Sequence, residues 1–165
     1  MPPLSRAFRF AAIVALSLAA AACAKDPNAD GGLAGAGRSA AVPGSAQDFS
    51  VNVGDRVFFE TDSSEITAQG QSTLDKQAQW LGRYTNYTIA LEGHADERGT
   101  REYNFALGAR RSEAVKNYLA ARGVPAARLR STSFGKERPV ATCDDISCWS
   151  QNRRSVTVLG GGGVS

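Results

Sequence analysis

Tyr87-Thr-Ile-Ala-Leu-Glu-Gly93, then His94-Ala-Asp-Glu-Arg-Gly-Thr100, then a long mixed run ending at Gly123 decides how this chain folds. The first seven residues, apolar and β-branched with a glycine stop, read as a strand. The run over 101–122 carries Leu107, Ala114, Val115, Tyr118 and Leu119 at helical spacing, with Gly123 placed to end the helix and Pro125 two residues on. Upstream, residues 66–84 repeat the pattern with Leu74, Ala78 and Leu81 on one face. Before them Arg56-Val-Phe-Phe59 reads as a strand, with a start as early as Val51. Downstream, Ser131-Thr-Ser-Phe134 is a short third strand, 135–150 a loop, and 153–159 a fourth strand. Strand–helix–strand–helix–strand–loop–strand predicts a two-layer α/β (α+β) sandwich: a four-stranded mixed sheet with both main helices on one face.

The chain has 165 residues, 42% hydrophobic and 21% charged, which excludes wholesale disorder and a polytopic membrane protein. No aromatic residue stands between Phe10 and Phe49, so the foldable module is expected over 48–159, with 160–165 a disordered tail. At the other end Arg6 and Arg9 precede a thirteen-residue apolar run from Phe10 to Ala22. A spanning helix needs about 20 such residues, so residues 1–22 read as an export signal. Leu18-Ala-Ala-Ala-Ala-Cys23 resembles a bacterial lipobox, although Ala20 stands where Leu is commonest. Lipidation of Cys23 explains both its position and the odd count of three cysteines; plain cleavage would leave it a stray thiol. Residues 23–47, rich in Gly and Ala with Pro27 and Pro43, read as a flexible linker. Net charge is +3, falling to +1 without Arg6 and Arg9, so nothing points to nucleic acid.

Arg111 is the most informative residue. It follows Leu107 by four and precedes Val115 by four, which puts a guanidinium on the apolar face of its helix. A lone buried charge is costly. An internal acidic partner, snorkelling along the flank, or a waiting anionic ligand would each account for it. Helical side chains lean toward the N-terminus, so Arg111 points back at the loop holding Asp96. One carboxylate and one guanidinium beside a helix start suit a zwitterion, the ammonium on Asp96 and the carboxylate on Arg111.

Gly93-His-Ala-Asp-Glu-Arg-Gly-Thr100 with Tyr103-Asn104, Leu107-Gly108, Arg110-Arg111 and Gln151-Asn-Arg-Arg154 resembles the peptidoglycan-associated lipoproteins of the OmpA-like C-terminal domain family, from about Val53 to Leu159. The resemblance implies an outer-membrane lipoprotein, facing the periplasm, that binds peptidoglycan without a covalent bond through the meso-diaminopimelate of its stem peptide. It also implies membership of the Tol–Pal complex with TolB as partner, a part in envelope integrity and constriction at division, and no cofactor. Carried over by motif, the ligand-facing residues are Phe59, Glu60, Asp96, Leu107 and Arg111. Glu60 departs from the family's usual Phe-Asp.

Other candidates keep two readings. Asn104 either ties the loop to the first turn of the helix or joins the binding set. Arg153 and Arg154 alternate faces, so one is expected in solvent, and Arg154 is a candidate groove residue. His94 reads as a turn residue bonded to backbone, and Trp149 as a packing anchor. Cys143 and Cys148 are expected to form a local disulfide in an oxidising compartment, and a single His leaves too few ligands for zinc. A peptidoglycan hydrolase using Asp96 and Glu97, or Glu92, is the competing function, but no nucleophile–base pair stands out, so no enzyme is expected.

Overall fold

The computed structural model describes residues 41–161; the expected export signal, Cys23, the linker up to residue 40 and the last four residues lie outside that range. A short turn α1 (Ala46–Asp48) runs into a π-helical turn (Phe49–Val53), followed by β1 (Arg56–Phe58), α2 (Ala68–Arg83), β2 (Thr88–His94), α3 (Arg101–Ala121), β3 (Leu129–Gly135), α4 (Ile146–Asn152) and β4 (Arg154–Gly160). The sheet order is β1-β4-β2-β3. β2 runs parallel to β3, and β4 is antiparallel to both β1 and β2. The last strand therefore enters between the first two, making β1 and β2 parallel with their carboxyl ends on one edge. That edge is where open α/β sheets place their sites.

Alternation along the strands sorts the residues. Val57, Ile89, Leu91 and Leu129 are buried and meet Leu74, Ala78 and Leu81 of α2 and Val115 and Leu119 of α3 in one core. The other sheet face carries Phe58 and Val158, 47% and 39% exposed, among charged neighbours. Both main helices thus cover one face, as the periodicity predicts. Their starts are capped: Thr67 Oγ1 accepts from Gly70 N–H and Thr100 Oγ1 from Tyr103 N–H. Gly123, at φ +91°, follows α3 as a left-handed end that a side chain would strain.

The structure corrects the expected boundaries at four places; one is β3, read as a short strand from Ser131, which starts at Leu129 and runs seven residues to Gly135. Residues 49–53 are not strand. Phe49 is buried against the Trp80 ring, 4.9 Å between centroids, while Asn52 donates to Asp48, so local bonds hold a turn there. Gly160 still pairs with Thr88 at the end of β4. The 135–150 loop runs into α4, whose cap is Asp145, accepting from Ser147 N–H. The Cys143–Cys148 disulfide joins the approach to α4 to the helix itself. A five-residue separation closes a small loop, so its stabilisation sits near the low end, about 2 kcal/mol.

The position of α3 is set by two glycines. A Cβ on Gly93 would overlap the carbonyl oxygen of Gly108, and one on Gly108 would stand 2.5 Å from Ser133 Oγ. Helix and sheet touch backbone to backbone here, one turn before Arg111. Gly93→Ala should therefore cost about 3 kcal/mol or more, from overpacking that backbone cannot relieve. Urea unfolding of the purified domain would measure it, and a loss below about 1 kcal/mol would contradict the close approach.

Candidate functional site

Three segments meet at the carboxyl edge: residues 59–63 after β1, 94–99 after β2, and the first three turns of α3. Arg111, fully buried, is the group they share. Its Nε donates to Ser63 O at 2.8 Å, Nη1 to His94 O at 2.8 Å and Nη2 to Glu60 O at 3.1 Å. The Phe59 ring lies 5.1 Å from its central carbon. No carboxylate stands within ion-pair distance of it among the described residues. Neither the internal acidic partner nor snorkelling along the flank accounts for it: main-chain carbonyls, not an acidic side chain, hold the charge, and the guanidinium is buried. Three of five guanidinium N–H groups are used in this way. Burial, with Arg153 nearby, pushes its pKa down to about 10, while Asp96 and Asp62 pull the other way. It remains charged at neutral pH.

Beside it lies a cleft of about 260 Å³ lined by Asp62, Asp96, Arg98, Asn104, Leu107 and Arg111, among others. Asp96 is 7% exposed. Its carboxylate accepts from Arg98 Nε at 3.1 Å and Nη2 at 2.7 Å, from the Arg98 N–H at 3.2 Å, and from Arg153 Nη1 at 3.4 Å. Burial alone would raise its pKa, but the Arg98 and Arg153 bonds outweigh it and hold the group below the usual carboxylate range. A carboxyl group that stays ionised cannot act as a general acid.

The remaining candidates divide. Leu107 and Asn104 are buried and line the cleft, and Asn104 Nδ2 donates to Arg98 O at 2.7 Å, tying the loop to the helix. Phe59 packs against the Arg111 guanidinium but does not line the cleft; it lines a larger hollow of about 440 Å³, as do Glu60 and Arg153. Glu60 reaches Arg111 by its main-chain oxygen, and its side chain is exposed. Arg154 is placed on the opposite sheet face, donating to Asn152 O and Arg138 O, away from the cleft. The expectation that Arg153 or Arg154 faces solvent fails, because both are buried. The inserted β4 starts at the sheet centre, so either face there is covered.

Two residues beside Asp96 and Arg111 were not among the sequence candidates for the site, Asp62 in the cleft lining and Arg153 behind Asp96. Arg153 donates from Nε to Phe59 O at 3.0 Å and reaches Asp96. Asp62 has φ +58° and stands on the cleft rim, an unusual backbone for a non-glycine residue. Its only sequence signal was an acidic residue shortly after a strand. Trp149 anchors its loop: its indole N–H donates to Glu97 Oε1, and the Arg98 guanidinium lies 4.1 Å from its ring centre.

Residues 58–153 match the OmpA family. The chain belongs to the OmpA family. Within it, the chain stands among the peptidoglycan-associated lipoproteins. The protein of that name from Agrobacterium fabrum is 60% identical over 169 residues, spanning 99% of this chain and 96% of the relative. That from Rhizobium meliloti is 65% identical over 154 residues, spanning 93% and 87%. The crystal structure of the peptidoglycan-associated lipoprotein from Burkholderia pseudomallei superposes with a TM-score of 0.63 at 42% identity, covering 64% of this chain and 90% of that one.

In this OmpA-family domain His94 serves the cleft only through its carbonyl. Its ring points to the other sheet face, 2% exposed, 5.6 Å from the Phe134 ring, and neither nitrogen has a hydrogen-bond partner. The expected bond from its ring to backbone is absent. Burial, then Arg154, Arg138 and Arg56, push its pKa from 6.5 down to about 4, with Glu92 3.9 Å away too weak to offset them. Protonation therefore favours the unfolded chain. The stability is complete above about pH 6.5 and falls by roughly 3 kcal/mol as pH drops to about 4. Urea titrations across that window should show the loss, and His94→Phe should flatten it.

Proposed function

We propose that this domain binds peptidoglycan non-covalently, gripping the zwitterionic end of meso-diaminopimelate in the stem peptide. The single observation that carries the reading is a fully buried guanidinium without an acidic partner at the wall of a cleft that also holds carboxylates. Arg111 takes the ligand carboxylate through its remaining N–H groups. Asp96, with Asp62 on the rim, takes the ammonium. Leu107 flanks the methylene chain, Phe59 packs against the Arg111 guanidinium, and Asn104 holds the loop that carries Asp96. Glu60 contributes through its carbonyl, and Arg154 takes no part.

The relatives' name, peptidoglycan-associated lipoprotein, supports the rest of the reading. Residues 1–22 are the export signal, Cys23 carries the acyl chains, the linker after it is the leash, and the domain from α1 to the end of β4 at Gly160 is the binding module. One end sits in the outer membrane and the other on the wall, in a Tol–Pal complex that includes TolB. Tethering raises the effective concentration, so each grip can be weak and reversible. No catalysis is required. Glu92 stands on the far sheet face from Asp96, and Asp96 is already held ionised by Arg98 and Arg153, so a hydrolase acid–base pair finds no support.

Purified sacculi mixed with the domain should carry it into the pellet and release no soluble fragments. Fragments whose appearance needs Asp96 or Glu97 would instead establish a hydrolase, and an empty pellet would overturn wall binding. In calorimetry with a stem tripeptide ending in meso-diaminopimelate, Asp96→Ala should weaken binding by about 2–5 kcal/mol, through the ammonium it leaves unpaired. Lysine in place of diaminopimelate removes one carboxylate and should weaken binding at least about tenfold; Arg111→Lys, which loses the planar fork, should shrink that difference.

A further inference from the structure

Asp96 does not wait empty-handed. At the cleft it is chelated by Arg98, with two side-chain bonds and one from the main-chain N–H. Its second cation, Arg153, is 6% exposed at the side chain and fixed to the Phe59 carbonyl. The Arg98 side chain is 41% exposed and lines the cleft itself. Only one of the two guanidiniums can leave without opening the fold.

We propose that Arg98 is an internal stand-in for the ligand's ammonium, a latch that must let go of Asp96 before an amine can take its place. The proposal rests on the cleft being the diaminopimelate site. A buried carboxylate with two guanidiniums has its charge already met, so a third cation gains little by simple addition. Exchange is different: one cation replaces another, and Asp96 keeps its count of charge-assisted bonds. The displaced guanidinium has a place to go. It already lies against the Trp149 ring, and the carboxylate of the adjoining Glu97 accepts the indole N–H of that same ring. Sliding from Asp96 toward Glu97 keeps the cation on an aromatic face and beside an anion. Trp149 follows Cys148, whose disulfide to Cys143 fixes the short helix that carries the platform.

The apparent affinity of such a site is the intrinsic affinity scaled by the fraction of molecules in which Asp96 is free. Removing the latch raises that fraction. Arg98→Gln should therefore bind the tripeptide roughly tenfold tighter than the unaltered domain, provided thermal melting shows the fold intact. Arg98→Lys, which keeps the charge but loses the forked grip on Asp96, should move affinity the same way by a smaller factor, and it decides the matter if Arg98→Gln does not fold. The gain should persist for the lysine tripeptide, which keeps the ammonium, and vanish when that amine is acetylated. A domain that binds no tripeptide at all overturns the cleft reading and the latch with it. A domain that binds, while Arg98→Gln binds equally or more weakly, overturns the latch alone and makes Arg98 a bystander or a receiver of the ligand carboxylate.

Discussion

A buried guanidinium with no acidic partner among the described residues has to be satisfied by something, and at Arg111 the main chain does it. Carbonyls of Glu60, Ser63 and His94 come from two loops that follow two different strands, and one side chain from the helix bonds all three. Charge-assisted bonds contribute about 1.5–3 kcal/mol each, and a stranded buried charge would cost several more. Each loop is therefore held where the guanidinium needs it, and the cleft is the space left between them. Arg128 uses the same device at the other end of the sheet, donating to the carbonyls of Leu81, Tyr84 and Tyr87. There the carbonyls belong to the end of α2 and the turn into β2, and the role is structural. What separates the two is the cleft that Arg111 lines.

The electrostatics of the cleft follow from this arrangement. Three guanidiniums, Arg98, Arg111 and Arg153, surround Asp96, while Asp62 stands at the rim. Of the three, Arg111 has only neutral oxygens as close partners, so it is the one whose charge is least compensated. On the reading proposed above, a ligand carrying both signs would meet Arg111 with its carboxylate and Asp96 with its ammonium.

Much of this was legible from residue types and spacing. Leu107, Arg111 and Val115 at intervals of four placed a cation on a buried helix face, and α3 has that face inward. Gly123 marked the helix end, and Cys143 with Cys148 the bridge. The partner of Arg111 was not legible, because a carbonyl oxygen has no letter in the sequence. Every residue carries one, and only the path of two loops brings three of them to one guanidinium. Arg153 and Arg154 were misjudged for a related reason. Alternation on a strand predicts opposite faces correctly, but not that the strand would enter the middle of the sheet with both faces covered there.

Local order sufficed to determine the main strands and helices, the cationic face of α3, the glycine that ends it, and the fold class, since periodicity, capping and turn chemistry act over a few residues. Tertiary structure alone decided that β4 enters between β1 and β2, that Asp62 and Arg153 join Asp96 and Arg111, and that Asp96 is already clasped by Arg98. Those relations join positions as far apart in the chain as Arg56 and Val156, paired between β1 and β4, and Asp96 and Arg153, 57 residues apart, where no local rule operates. They exist because the buried guanidinium of Arg111 needs hydrogen-bond acceptors, and only the paths of the chain after β1 and at the end of β2 bring three carbonyls to it.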